Sequence, residues 1–114
     1  MSDVTVDLET MGNRAGSAII AIGAVKFDKN GTGDEFYKTI DLQSSVVGGG
    51  QMDASTVLWW LKQSEAARAE FFKPGESLIA SLLAFKTWLG GDGCKIWGNG
   101  ASFDNVFWYQ LIRI

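Results

Sequence analysis

Asp7 and Glu9 lie two residues apart in VTVDLETMG, residues 4–12. Val4, Val6 and Leu8 alternate with them, the period of a strand with two unlike faces. A spacing of two puts both carboxyls on the same side of that strand, able to reach one site. Charge on a strand is costly unless it is solvated, paired or bound to a cation. Either this strand lies at an exposed surface, or the two acids hold a metal. A second stretch, IWGNGASFDN at residues 96–105, reads as a short strand, a glycine turn and an acid, Asp104, at the start of a helix. If that strand flanks the first, Asp104 faces Asp7 and Glu9, with no Lys or Arg in either motif. Carboxylates that close raise one another's pKa and repel unless a divalent ion holds them together. Hard oxygen donors suit Mg²⁺ or Mn²⁺. Two such ions, roughly 3.5–4 Å apart, activate a water and stabilise the leaving oxygen of a phosphodiester.

Composition narrows the alternatives. A chain of 114 residues, 46% hydrophobic and 20% charged, suits one folded domain and is too apolar for disorder. Its net charge of -3 argues against gripping nucleic acid by a general basic coat. It does not argue against an enzyme whose bound cations supply positive charge locally. There is no histidine. That removes a Ser-His-Asp or Cys-His nucleophile and a histidine zinc site. A general base must then be a carboxylate, a Tyr, a Lys or a metal's own bound water. Cys94 is the single cysteine, so no internal disulfide is expected, and it reads as an inert thiol at the start of a strand. The N-terminus has no basic-then-apolar leader, and no apolar run is long enough to span a bilayer. A reduced cytoplasmic setting is the expectation.

Patterning supplies the elements that must position the acids. Residues 3–8 form a first strand, and GNRAG is a turn. Residues 17–28 form a long second strand, and KNGTG at 29–33 carries an Asn-Gly hairpin signal. Residues 34–42 form a third strand, antiparallel to the second. QSSVVGGGQ, 43–51, reads as a loop, and its glycines lack the Lys-Ser/Thr that would make a phosphate cradle. Residues 53–64 read as a helix capped by Asp53 or Ser55, and a second helical piece restarts at Ser64 and Glu65 and ends before Pro74-Gly75. The clearest helix is 76–89, with Leu78, Ile79, Leu82, Leu83, Phe85 and Leu89 as a wide apolar face. A short strand at 95–97 precedes a last helix that Ser102 is placed to cap. The order predicts a mixed α/β sheet: a three-stranded antiparallel meander, then a helical crossover to a strand parallel to the first.

VDLETMGN followed far downstream by WGNGASFDNV resembles the first two motifs of the DEDD superfamily of 3'-5' exonucleases, proofreading-type enzymes with an RNase H-like fold. Within it the wording VTVDLETMGN, FYKTIDL and VLWWLKQSEAARAE is similar to phage and prophage exonucleases of the exonuclease VIII type, through most of the chain. The resemblance implies that Asp7, Glu9 and Asp104 ligate Mg²⁺ or Mn²⁺, with Asp7 bridging both ions. It implies that Thr10 and Met11 lie against the terminal nucleotide. It also implies that Asn99, Ser102 and Phe103 line the substrate groove, and that the partners are single-stranded DNA or RNA 3' ends. The pattern departs from the family after that. The family's third motif is a His or Tyr followed at a short interval by a fourth Asp. Here no acid follows Asp104, and Tyr109 is followed by Arg113 where that Asp is expected. The expectation is one incomplete exonuclease domain over residues 1–114, lacking the last strand and helix of the full fold. VFWYQLIRI at the end is nearly all apolar, so an exposed patch and self-association through it are expected.

Each feature also has a plainer reading. Asp7 and Glu9 suit the solvated face of an edge strand, and Asp104 suits a helix N-terminus. Of Trp59 and Trp60, at least one is expected in the core, although such a pair can stack bases. Two function classes follow: a metal-dependent 3'-5' exonuclease, weakened or inactive for want of the third motif, or a non-catalytic remnant that binds nucleic acid or protein.

Overall fold

In a computed structural model the chain is described over residues 2–90 and 94–98. Three strands open it: β1 (Asp3–Thr10), β2 (Ile19–Asp28) and β3 (Gly31–Thr39). Helices α1 (Leu42–Val47), α2 (Ala54–Leu61) and α3 (Glu65–Arg68) follow, then a 3-10 turn (Ala69–Phe72), helix α4 (Leu78–Leu89) and strand β4 (Lys95–Trp97). The sheet order is β3-β2-β1-β4, with β1-β2 and β2-β3 antiparallel and β4 parallel to β1. This is the mixed α/β sheet with flanking helices expected of an RNase H-like domain. No helix among the described residues is long and apolar enough to cross a membrane.

The period-two pattern of β1 decides which face is sealed. Val4, Val6 and Leu8 pack with Ile22, Phe36 and Ile96 from the other strands against Leu78, Leu82 and Phe85 of α4. Phe85 is fully buried and meets the Phe36 ring edge-on, with centroids 5.3 Å apart. A smaller core of Met11, Ala18, Ile20 and Trp60 joins the β1-β2 loop to α2.

Several local expectations change. The hairpin turn is tighter than KNGTG: Asp28 pairs directly with Gly31, leaving only Lys29 and Asn30 between the strands. The Asn30 N–H donates to the Asp28 carboxylate at 2.8 Å, which closes that turn. The segment expected as a Ser/Gly loop begins with a helix, α1. Asp41 caps it by accepting from the Ser44 N–H, and the buried Ser45 hydroxyl donates to the Ile19 carbonyl at 2.7 Å. These tertiary and capping bonds outweigh the low helix propensity of Ser and Val. Gly50 belongs to the same packing, since a Cβ there would meet Ser45 O at 2.6 Å and Ala18 Cα at 2.8 Å. Asp53 precedes α2 but makes no side-chain cap bond, because Arg14 takes its carboxylate at 2.6 Å. The Ser64 cap is present, accepting from the Ala67 N–H at 3.2 Å.

The apolar face of α4 is also narrower than its sequence suggests. Only the stripe of Leu78, Ser81, Leu82 and Phe85 is buried, while Ile79 and Leu83 are 56% and 50% exposed. One helix lying on one sheet covers positions three and four apart, and residues 79 and 83 fall on the next stripe. Ser81 sits in the buried stripe with its hydroxyl unpaired. Phe85→Ala is therefore expected to cost about 3–5 kcal/mol in urea unfolding. Ser81→Ala is expected to be neutral or stabilising, since it removes an unsatisfied buried hydroxyl and adds a better helix former. Ile79→Ala is expected to stay within about 0.5 kcal/mol of the parent. A large loss at Ser81 would place an unseen partner on its hydroxyl.

Candidate active site

The face of β1 turned away from α4 carries Thr5, Asp7 and Glu9, and all three line one cavity of about 650 Å³. Its floor is the same face of the neighbouring strands. Across the sheet Asp7 stands opposite Gly23, and Gly23 opposite Tyr37; Glu9 stands opposite Ala21. The two smallest side chains thus lie beside the two acids, which keeps the floor open. Gly23 does not need its freedom: a Cβ there would make only ordinary contact, 3.6 Å to the Tyr37 ring. Its lack of a side chain serves the space above it rather than the backbone. Trp59, Trp60 and Gln63 from the α2 region, Ala67 of α3 and Glu70 of the 3-10 turn complete the wall.

The roof is tied down beside the acids. The Trp60 Nε1–H donates to the Thr10 carbonyl at 3.0 Å, one residue beyond Glu9. The Met11 carbonyl accepts from the Asp53 N–H at 2.9 Å, and the Met11 N–H donates to Ala18 O at 2.9 Å. On the far side the Tyr37 hydroxyl donates to one oxygen of Glu70 at 2.9 Å, and Lys73 donates to the other at 2.5 Å. A chain of hydrogen bonds therefore joins β3 to the 3-10 turn.

Among the described residues Asp7, Glu9, Glu35 and Glu70 line the cavity, and no Lys or Arg does. Burial raises the Glu9 carboxyl above its usual range, and the charges of Asp7 and then Glu70 push it further. Glu70 is held below the usual range by its hydrogen bond from Lys73, then by that from Tyr37. The Tyr37 hydroxyl is pushed up to about 12, by burial first and then by the bond to Glu70. It stays protonated at neutral pH, so it serves as a donor and not as a base.

The structure brings Asp7 and Glu9 together on one cavity. Thr10 is half-buried at the end of β1, its hydroxyl donating to the Gly12 carbonyl at 2.6 Å. The Met11 side chain is 3% exposed and packs in the smaller core rather than on the acidic cavity, because an apolar side chain after the β1 irregularity turns toward Trp60. Asn99, Ser102, Phe103, Asp104 and the apolar end at 106–114 lie outside the described residues. Among the described residues no three His, Cys, Asp or Glu side chains are grouped to hold a metal ion, so Asp7 and Glu9 are a pair of donors here. Two carboxylates with no Lys or Arg paired to them among the described residues, one with a raised pKa, suit a hard divalent ion in both charge and donor type. Sequence patterning did not single out Tyr37, Glu70 or Gly23. The alternation of β3, with Phe36 and Lys38 on one side, does place Glu35 and Tyr37 together on the other.

A carboxyl whose folded pKa is raised favours folding fully only below its unfolded pKa, and that contribution is lost as pH rises through the folded value. Glu9→Gln, which cannot ionise, is therefore expected to be more stable than the parent at neutral pH in chelator. The difference should vanish below about pH 4, near the unfolded carboxyl range. Urea midpoints from pH 3 to 8 check this, and a Glu9→Gln chain less stable at pH 7 would contradict it.

Compared with known proteins, residues 2–114 match the sequence profile of the family described as 3'-5' exoribonuclease Rv2179c-like domain. An exodeoxyribonuclease of Enterobacteria phage T4 is 30% identical over 129 aligned positions. That alignment takes in 99% of this chain and 56% of the phage protein, so the chain spans about half the length of that relative. A strand bearing D-x-E beside an acidic cavity and a match along nearly the whole sequence agree: the chain belongs to the 3'-5' exoribonuclease Rv2179c-like family of exonuclease domains.

Proposed function

We propose that this chain carries the site of a metal-dependent 3'-5' exonuclease of the DEDD type, hydrolysing phosphodiesters at the 3' ends of single-stranded DNA or RNA. One observation supports this above the others: Asp7 and Glu9 share a cavity that, among the described residues, is lined by four acids and no Lys or Arg, with Lys73 pairing only Glu70. A polyanion can enter such a space only if cations accompany it. Asp7, Glu9 and Asp104 would hold Mg²⁺ or Mn²⁺, which neutralises phosphate charge and makes a bound water acidic near neutral pH. The family's description speaks of RNA and the phage relative's name of DNA, so both are kept as substrates.

The chain's own residues have narrower tasks. Asp7 and Glu9 supply hard oxygen donors from a rigid strand. Tyr37 offers a hydroxyl and cannot take up the proton of an attacking water. With no histidine in the chain and no acid after Asp104, a fourth ligand and a dedicated base are missing from this sequence. Turnover by this chain alone is therefore expected to lie several orders of magnitude below that of a complete relative. The second reading is a binding module in which the acid pair holds a cation beside nucleic acid without hydrolysis.

Nucleotide release from a 3'-labelled single strand, with Mg²⁺ or Mn²⁺ and beside Asp7→Ala, separates these readings. The expected result is slow release that needs the metal and is abolished by Asp7→Ala. Release indifferent to Asp7 would remove the site. No release from a folded chain that still binds Mn²⁺ would leave the binding module.

A further inference from the structure

A second cavity, of about 560 Å³, opens on the reverse of the roof. Trp60, 7% exposed, lines both this groove and the acidic cavity and so forms the partition between them. Among the described residues only Glu65 and Arg68 bring charge to its lining, and every other lining residue is apolar. Three of these keep much of their surface in water: Phe72 is 86% exposed, Leu61 59% and Met52 44%. Large apolar side chains grouped at one groove mark an interaction face, and Phe, Met and Arg are types that gather in interfaces. Glu65 opens α3 and Arg68 ends it. Both are exposed, and neither joins an ion pair among the described residues. One Arg68 N–H donates to the Leu61 carbonyl at 3.3 Å, which holds the guanidinium beside the exposed Leu61.

A short helix with an acid at one end and a base at the other is complementary to itself turned end for end. About a two-fold axis, a contact from residue i to residue j is repeated from j to i. We propose that this groove is the face through which two copies of the chain associate, with their α3 helices antiparallel, Glu65 of each facing Arg68 of the other, and the Phe72 rings covering the opposed grooves. The charge pattern favours this occupant: a single cation beside a single acid offers nothing to a polyanion or to an anionic lipid surface. Association here covers the side of the roof opposite the acidic cavity and leaves that cavity open. It also gives α2 and α3, of eight and four residues, a second packed face, which helices this short lack alone.

The test is sedimentation velocity of the full chain at micromolar concentration and low salt, with circular dichroism to confirm that each variant is folded. The parent is expected to be a dimer in exchange with monomer. Glu65→Arg and Arg68→Glu should each weaken the dimer by about 100-fold, because each sets like charges opposite one another across the axis. Mixed in equal amounts, these two variants should dimerise with each other, since one then presents two cations and the other two acids. The double variant E65R/R68E should regain a homodimer. Phe72→Ser, at an exposed position, should dissociate the dimer and keep the fold. A parent that is monomeric throughout overturns the proposal. A dimer indifferent to both charge reversals overturns it too, and assigns self-association to another surface, such as residues 106–114. Charge reversals that dissociate the dimer but are rescued neither by mixing nor by the double variant overturn the antiparallel pairing.

Discussion

Asp7 and Glu9 put two negative charges on one face of a strand whose other face is sealed against α4, and neither acid can turn away without pulling Val6 or Leu8 out of the core. Slipping the strand by one residue would bury the acids and expose the valines. The hydrophobic effect thus holds in place an electrostatic arrangement that is unfavourable by itself. The surroundings concede to that arrangement. Ala21 and Gly23, small residues, stand beside the acids, and among the described residues no Lys or Arg lines the cavity to relieve them. Structures keep unrelieved charge of this kind mostly where function requires it.

The roof works differently from the floor. Its helices are short, and their stability comes from bonds back to the sheet more than from their own propensity. Trp60 reaches the Thr10 carbonyl, and Tyr37 reaches Glu70 across the opening. The first bond sets the roof's position beside the acids. The second closes the opposite side with a hydroxyl that remains protonated at neutral pH. The acidic end of the cavity and its aromatic wall share an anchor, since the Trp60 bond falls on the residue that follows Glu9.

Much of this was legible in the sequence because it depends on period. The two-residue alternation around Asp7 and Glu9 announced a strand with two faces, and the meander and α4 followed from equally regular patterns. What was not legible depends on partners distant in the chain. The helix at Leu42–Val47 has a poor intrinsic pattern and exists because Ser45 finds the Ile19 carbonyl. Asp53 looks like a cap until Arg14 takes its carboxylate. Ile79 and Leu83 are as apolar as Leu82, and only the width of the contact with the sheet tells them apart. Met11 adjoins the acidic motif in sequence, yet the irregularity at Glu9-Thr10 sends it into the core. Tyr37 and Glu70 each looked unremarkable alone, and their meaning lies in a pairing 33 residues apart.

The parallel pairing of β4 with β1 joins the two ends of the described chain, Asp3 to Lys95 and Thr5 to Trp97. The meander, by contrast, closes through short connections between neighbouring strands. Closing a long loop is slow and is rewarded only when the contact is made. During synthesis the acid-bearing strand can therefore pair with β2 and receive its helical roof before β4 leaves the ribosome. The acidic cavity belongs to the part of the molecule that closes through short connections. Its edge beside β1 stays an open strand, with free N–H and C=O groups, until the last strand arrives. In that interval the open edge of β1 lies on the same strand as Asp7 and Glu9.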